Sequence, residues 1–341
     1  MNTLRIPYTV LHECVAGALV DCGMATDRAE TESEIMVEAD LFGTPSHGVR
    51  MLPGLLEGIR SGRAIAVPQV HKLHEFGACT VLDCDKGPGR STSLQAMEIA
   101  VDNAQRFGVG VCLARDTTHW GRAHAYAMRA AHRGMIGLCT TNALPTMAAF
   151  GATHAVIGNN PIAIGIPTEN VDEPVVLDMA MSQAAVGKVN TWLREGRALP
   201  QGWGLDAEGR PTDNANDILR GAVLPMGEHK GSGLSMMMEI MTAALAGGLF
   251  GFEIARGDAS GLDPGATKFF LALNPAAFGS PIALQSRVDT LLSYLTQNTG
   301  VRERFLWPGQ RGWDERRRNL AEGVPLHVDI VTQLRAAGLP L

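Results

Sequence analysis

The chain has 341 residues, with 29 Lys and Arg against 35 Asp and Glu, for a net charge of −6. This length suggests two or three structural units, or one large α/β body with a satellite, and the 45% hydrophobic content supplies a sizeable core. No large positive field exists to hold a polyanion, which excludes nucleic acid as the expected partner, and the 39 glycines lack the three-residue period of a collagen-like fibre.

The opening stretch MNTLRIPYTVLHECV carries Glu13 in its only hydrophobic run and lacks the apolar core of a signal peptide. Cys14, Cys22, Cys79, Cys84, Cys112 and Cys139 are scattered without a CxxC pair. Together these features predict a cytoplasmic protein with buried, reduced thiols, no disulfide frame and no metal site. Val10, Leu11, Cys14, Val15, Ala18 and Leu19 fall on one helical face. A second helix is predicted from Thr26, as N-cap, to Gly43, as stop; the loop Thr44-Pro45-Ser46-His47-Gly48 and a third helical stretch through Arg60 follow.

From Val67 the texture changes. The β-rich runs Cys79–Leu82, Val109–Ala114, Ile136–Thr141 and Val175–Leu177 alternate with the helical runs Ser93–Phe107 and Gly121–His132. This alternation predicts an α/β domain with helices on a largely parallel or mixed sheet. Residues 134–168 carry no Asp, Glu, Lys or Arg, but Pro145, Pro161 and Pro167 argue against a membrane span. Residues 196–230 read as an irregular connection, and Gly231–Leu249 as a helix too apolar for the surface. Lys268–Leu273 is one more strand. Helices resume from Ser280, with Arg311–Arg318 as a solvated face and Val328–Ala337 as the last helix.

The chain contains no P-loop, GxSxG elbow, HExxH or GxGxxG fingerprint, so any dinucleotide is bound without the usual glycine-rich turn. Four polar clusters sit at element boundaries. Ser46-His47-Gly48 places a histidine able to exchange a proton near neutral pH beside a serine that could orient it; alone, it is more often a capping turn. His119-Trp120-Gly121-Arg122 stands at a helix start, where free N–H groups suit phosphate, although a packed tryptophan is the plainer explanation. Asp178-Met179-Ala180-Met181-Ser182 ends an apolar strand, with the acid suited either to capping or to a ribose hydroxyl. Glu228-His229-Lys230-Gly231 puts cations at a helix start, against the dipole, which favours an anionic ligand.

In this order and spacing the clusters resemble the malate/L-lactate dehydrogenase family of the non-Rossmann type. The matching text runs through Ala39-Asp40-Leu41, Ser46-His47-Gly48-Val49, Asn142, Gly158-Asn159-Asn160-Pro161, Val176–Ser182, Leu199-Pro200, Gly202-Trp203 and Leu224–Ser232. Within the family, His229–Met237, Gly247-Gly248 and Phe252-Glu253 most resemble reductases of Δ1-piperideine-2-carboxylate and Δ1-pyrroline-2-carboxylate.

The resemblance implies an L-sulfolactate dehydrogenase-like α/β fold, with a mixed nicotinamide-binding sheet and a helical N-/C-terminal subdomain. It divides the chain into a helical segment 1–66 carrying Ser46 and His47, an α/β core 67–280, and a C-terminal helical segment 281–341 packing with the first. It implies a homodimer that uses NAD or NADP to move a hydride to C2 of a small 2-oxo acid or cyclic 2-imino acid; oxidation of a malate- or lactate-type 2-hydroxy acid is the alternative. A binding protein that lost the chemistry is the alternative of another class. His47 is implied as proton donor with Ser46, and His119 as a second acid/base group. Cofactor positions are His119, Trp120, Gly121, Arg122, Ala123, Asp178, Met179, Ala180, His229, Lys230, Gly309 and Arg311, and substrate positions are Arg50 and Thr141. The family's carboxylate-clamping arginine four residues after the histidine is replaced by Met51. Arg50 lies ~100° away on a helix, which leaves three alternatives: a local change of helix phase lets Arg50 take over the clamp, Met51 and Leu55 present one apolar face to the substrate, as the i, i+4 spacing slightly favours, or both simply pack in the core.

Overall fold

The computed structural model describes residues 3–194, 196–254, 262–298, 300 and 305–341. Among them the strands form three sheets. The largest has seven strands, in the spatial order His71–Phe76, Cys79–Gly87, Val109–Thr117, Ala266–Leu273, Ile136–Thr141, Ile162–Ile166 and Val175–Met179. Cys79–Gly87 and Val109–Thr117 run parallel, whereas the other neighbours are antiparallel. The sheet is therefore mixed. The parallel alternative fails because Ala266–Leu273, from late in the chain, inserts between Val109–Thr117 and Ile136–Thr141 and reverses the direction on both sides.

Side chains alternate across this sheet with period two. Cys112, Ala114, Cys139, Phe270 and Ala272 face a core shared with helices Gly89–Phe107 and His124–His132. Leu113 and Phe269 face the other way, toward Ala246 and Met241. Both helices start later or earlier than the periodicity suggests: Gly89 opens the first, and Gly121–Ala123 remain an extended turn before the second.

The stretch 196–230 is irregular along most of its length but carries short elements. Two-residue strands Gly204–Leu205, Pro211–Thr212 and Ala222–Val223 join Met147–Ala148 and Ala155–Ile157 in a five-stranded sheet, with helix Ala215–Arg220 against it. Strands this short leave no periodic trace.

The chain ends meet. Thr3–Ile6 pairs antiparallel with Val324–His327, and Leu11, Val15, Leu19, Leu52 and Leu56 share a core with Ile330, Val331 and Leu334. Thr26 is the first residue of helix Thr26–Leu41 rather than its cap, which is Ala25. Helix Gln310–Glu322 docks on the same region: Trp313 is buried against Phe42, and Asn319 Nδ2 donates to the Leu41 carbonyl. The architecture is α/β, with the helical N-terminal segment and the C-terminal elements joined beside a mixed sheet.

Two expectations about burial are overturned. Cys84, Cys112 and Cys139 are buried, but Cys14 and Cys22 are half-buried and Cys79 is exposed. Helix His229–Glu239, with its π-turn Ile240–Ala244, leaves Leu234, Met236, Met237, Ile240 and Leu245 between 44% and 63% exposed. Its composition is that of a covered helix, but among the described residues no element of the same chain covers this face.

Candidate active site

Ser46 and His47 lie in a short 3-10 turn, Pro45–His47, between helix Thr26–Leu41 and helix Leu52–Arg60. Gly43, at φ +71°, lets the chain leave the first helix. The turn is then pinned from beneath: buried Asp40 accepts the Val49 N–H at 2.7 Å. A Cβ on Gly48 would come within 2.0 Å of that carboxylate, so only glycine fits there. Burial pushes the Asp40 carboxyl up to about 7, against the opposing pull of the Val49 bond and Arg50. Ser46 Oγ lies 2.8 Å from His47 Nδ1, as an orienting serine requires.

The second histidine arrives from the sheet. His119 follows strand Val109–Thr117, and its ring centroid is 5.8 Å from that of His47. Its Nδ1 accepts the Gly121 N–H at 3.0 Å, so the neutral ring carries its proton on Nε2. Close approach of helix Gly89–Phe107 sets this segment: a Cβ on Gly89 would sit 2.1 Å from the Thr118 carbonyl. Buried Lys268 donates to the same carbonyl at 2.7 Å. Desolvation pushes Lys268 down to about 7.

Both imidazoles are held neutral. Burial pushes His47 down to about 4, with Arg122, Arg90 and Arg50 adding to the effect and Asp178 opposing it. His119 is lowered by burial first, then by His47, Arg90, Lys268 and Arg50. Three arginines, Arg122, Arg90 and Arg50, thus act on His47 against the opposing charge of Asp178, an arrangement that suits an anion. Arg50 Nη1 is buried and has no hydrogen-bond partner. Leu55 packs in the N-terminal core, and Met51 lies in a separate 3-10 turn with its Sδ 3.6 Å from Arg90 Nη2. Packing in the core is thus the outcome for Leu55, while Met51, in helical geometry directly before Leu52, stays half-buried beside Arg90.

Asp178, at the end of strand Val175–Met179, accepts from Arg122 Nε at 2.9 Å and from the His124 N–H at 3.2 Å. The helix start suggested for phosphate is thus already taken by a carboxylate, while the next N–H groups bond back to Arg122 and Ala123 carbonyls. Arg122 Nη1 remains buried and unpartnered. Trp120 stacks on Tyr126 at 5.2 Å inside the core, and Ala123 is buried there as well, so their side chains do not face the histidines. Met179 and Ala180 continue the half-buried edge beyond Asp178. Gly309, at φ +98°, opens helix Gln310–Glu322 against this strand, with Pro308 accepting the Val176 N–H. Arg311 is exposed beside Lys188 of helix Val186–Arg194, and that helix abuts Ser46 through Gly187.

Two groups stand apart. Thr141 ends strand Ile136–Thr141 with its hydroxyl already donating to the Asn142 and Thr267 carbonyls. His229 and Lys230 are exposed at the start of the apolar helix, with His229 6.0 Å from the Phe150 ring. Residues the sequence reading passed over do more at the centre: Arg90, Glu32, Asp40 and Lys268 are all buried around the two histidines. For Glu32 and Asp40 the available signal was an acid on the buried stripe of Thr26–Leu41.

The sequence profile of the malate/L-lactate dehydrogenase family matches residues 6–335. A malate dehydrogenase of Pyrococcus horikoshii is 30% identical over 343 residues, covering 98% of this chain and 94% of that protein. A Δ1-pyrroline-2-carboxylate/Δ1-piperideine-2-carboxylate reductase of Pseudomonas syringae pv. tomato is 33% identical over 327 residues, covering 94% and 93%. The structure of sulfolactate dehydrogenase from Methanocaldococcus jannaschii superposes with a TM-score of 0.89 at 29% identity, covering 98% and 96%.

Proposed function

The chain belongs to the malate/L-lactate dehydrogenase family, and on that premise we propose that this oxidoreductase moves a hydride between a nicotinamide cofactor, NAD or NADP, and C2 of a small 2-oxo acid or cyclic 2-imino acid. The observation that carries the proposal is the pair of neutral imidazoles 5.8 Å apart among Arg50, Arg90 and Lys268, with Arg50 Nη1 left unpartnered. An unfilled buried guanidinium N–H calls for an acceptor, and a carboxylate supplies one bidentately.

The cofactor residues fit a dinucleotide at the strand edge. Arg122 Nη1 is a second unfilled donor, and Asp178, Met179 and Ala180 lie half-buried at the end of the edge strand whose Val176 meets the Gly309 turn. When bound, the reduced nicotinamide supplies the hydride. Arg50 holds the carboxylate, and the His119 Nε2–H polarises the substrate oxygen or nitrogen. His47 delivers the proton to that atom, giving the hydroxy or amino acid, and Ser46 fixes the His47 ring. For the reverse reaction neutral His47 is already the competent base.

The exposed apolar helix face belongs to the same proposal as the contact between two copies, which would bring His229 and Lys230 to the dimer seam. The division at residues 66 and 280, Thr141 as a substrate neighbour and a cytoplasmic location also stay part of it. Among the described residues no helix is long and apolar enough to cross a membrane.

The test is oxidation of NADH and NADPH with pyruvate, oxaloacetate, piperideine-2-carboxylate and pyrroline-2-carboxylate, using wild type, His47→Ala and His119→Ala. A positioned acid is worth ~10²–10⁴-fold, so His47→Ala is expected to lose turnover on that scale while cofactor fluorescence titrations stay unchanged. Near-normal kcat would reduce His47 to a loop residue. Cofactor binding without turnover on any of the four acids would defeat the substrate class, and absence of cofactor binding would defeat the whole proposal.

A further inference from the structure

Arg90 is the second residue of helix Gly89–Phe107 and only 2% exposed. Its Nη2 donates to the His47 carbonyl at 3.4 Å. Its Nη1 lies 3.5 Å from Oε2 of buried Glu32, whose Oε1 accepts the Ser91 N–H at 2.7 Å. Its Nε has no partner, and a Cβ on Gly121 would come within 2.8 Å of that atom. One guanidinium therefore touches both the loop that carries His47 and the turn that orients His119.

We propose that Arg90 is a positioning residue for hydride transfer, tying the His47 loop to the His119–Gly121 turn and placing one fixed positive charge beneath both imidazoles. This rests on the proposed oxidoreductase reading. Stability alone explains the group poorly: a buried ion pair is often no better than an apolar plug of the same volume, and here one donor is unsatisfied and both side-chain bonds are long. The electrostatics agree. His47 faces Asp178 from strand Val175–Met179, Arg122 from the following turn, Arg50 from its own loop and Arg90 from the helix. His119 faces His47, Arg90, Lys268 and Arg50. Arg90 and Arg50 are the cations acting on both rings, and Arg90 is the one on a rigid helix bridging them.

The experiment compares Arg90→Gln, Arg90→Lys and the pair Glu32→Gln/Arg90→Gln in the full chain. The double variant removes both buried charges and keeps a folded protein available where the single one strands Glu32. Readouts are melting temperature, kcat and KM separately, the pH profile of kcat/KM for oxidation, and NMR titration of the histidine ring protons. Loss of the charge is expected to raise the histidine titration and the acid limb by about one unit and to lower kcat at least ~10-fold. Arg90→Lys should keep the limb near its wild-type position while losing part of kcat, because an ammonium cannot span both loops. Lower kcat with unmoved limbs in folded Arg90→Gln would make Arg90 a structural residue and overturn the proposal, as would a lysine variant no closer to wild type than the glutamine one; where Arg90→Gln does not fold, a folded double variant that keeps wild-type kcat overturns it instead. Should wild type bind neither NADH nor NADPH in fluorescence titrations, the oxidoreductase reading fails separately, whatever the histidine titrations of the variants show.

Discussion

Binding of a carboxylate beside His47 should pull a proton out of solution. Free, the imidazole is held down to about 4, chiefly by burial and by the surrounding arginines, so at pH 6 it is almost entirely neutral. A carboxylate ~4 Å from the ring, at an effective dielectric of ~20, is worth about 4 kcal/mol, or ~3 pKa units, in favour of the charged form. That lifts His47 to near neutrality in the complex. Uptake then approaches one proton per site at about pH 6 and vanishes above pH ~8, where the group is neutral in both states. Calorimetric titration of the protein–NADH complex with oxamate, in buffers of different ionisation enthalpy, reads this directly. His47→Gln should abolish the uptake while binding persists. Measurable oxamate binding at pH 6 with less than ~0.2 proton taken up would refute the assigned position of the carboxylate. The same asymmetry makes reduction acid-favoured; for oxidation it leaves kcat/KM flat above the free-state titration and lets kcat fall below the bound-state one.

Arg50→Ala and Met51→Arg address one question, where the carboxylate is gripped. Loss of a buried charged donor costs about 1.5–3 kcal/mol, so Arg50→Ala should raise KM for pyruvate or piperideine-2-carboxylate by ~10–150-fold. Met51→Arg should not lower KM and should depress the melting temperature, because it sets a second guanidinium against Arg90, whose Nη2 is 3.6 Å from the present sulfur. For the apolar face, Met237→Glu/Leu245→Glu should convert a dimer to a monomer by light scattering; a wild-type monomer at micromolar concentration would remove the second copy from the proposal.

The large sheet was legible strand by strand but not in its order. Ile136–Thr141 matches its predicted bounds, and Cys79–Gly87, Val109–Thr117 and Val175–Met179 extend their predicted cores by a few residues. Periodicity reports which face a residue takes; it carries nothing about which distant strand lies alongside. Ala266–Leu273, about 150 residues after Val109, decides the topology through pairings that no local pattern encodes. Helix His229–Glu239 fails for a related reason. Its composition predicts burial, yet Leu234, Met236, Met237, Ile240 and Leu245 are exposed within the chain, because composition tells that a surface is apolar and not what packs on it.

The candidate polar groups were legible because their chemistry is visible in single residues at element ends: Ser46, His47, His119 and Asp178 all come to the histidine cleft or its edge. The residues that hold them were not, because their role exists only across elements. Glu32 and Arg90 are 58 residues apart and meet through helix packing. Lys268 reaches Thr118 from 150 residues away. Asp40 is an exception that spacing could have supplied. It lies nine residues before Val49, on the buried stripe of its helix, and is followed at residue 48 by the one amino acid whose missing side chain admits the carboxylate. The sequence resemblance retains Asp40, Gly48 and Val49 together with Ser46 and His47, which is what a loop held by a single buried acid requires. Replacing Asp40 or Gly48 is therefore expected to move His47, although neither is assigned a contact with the substrate.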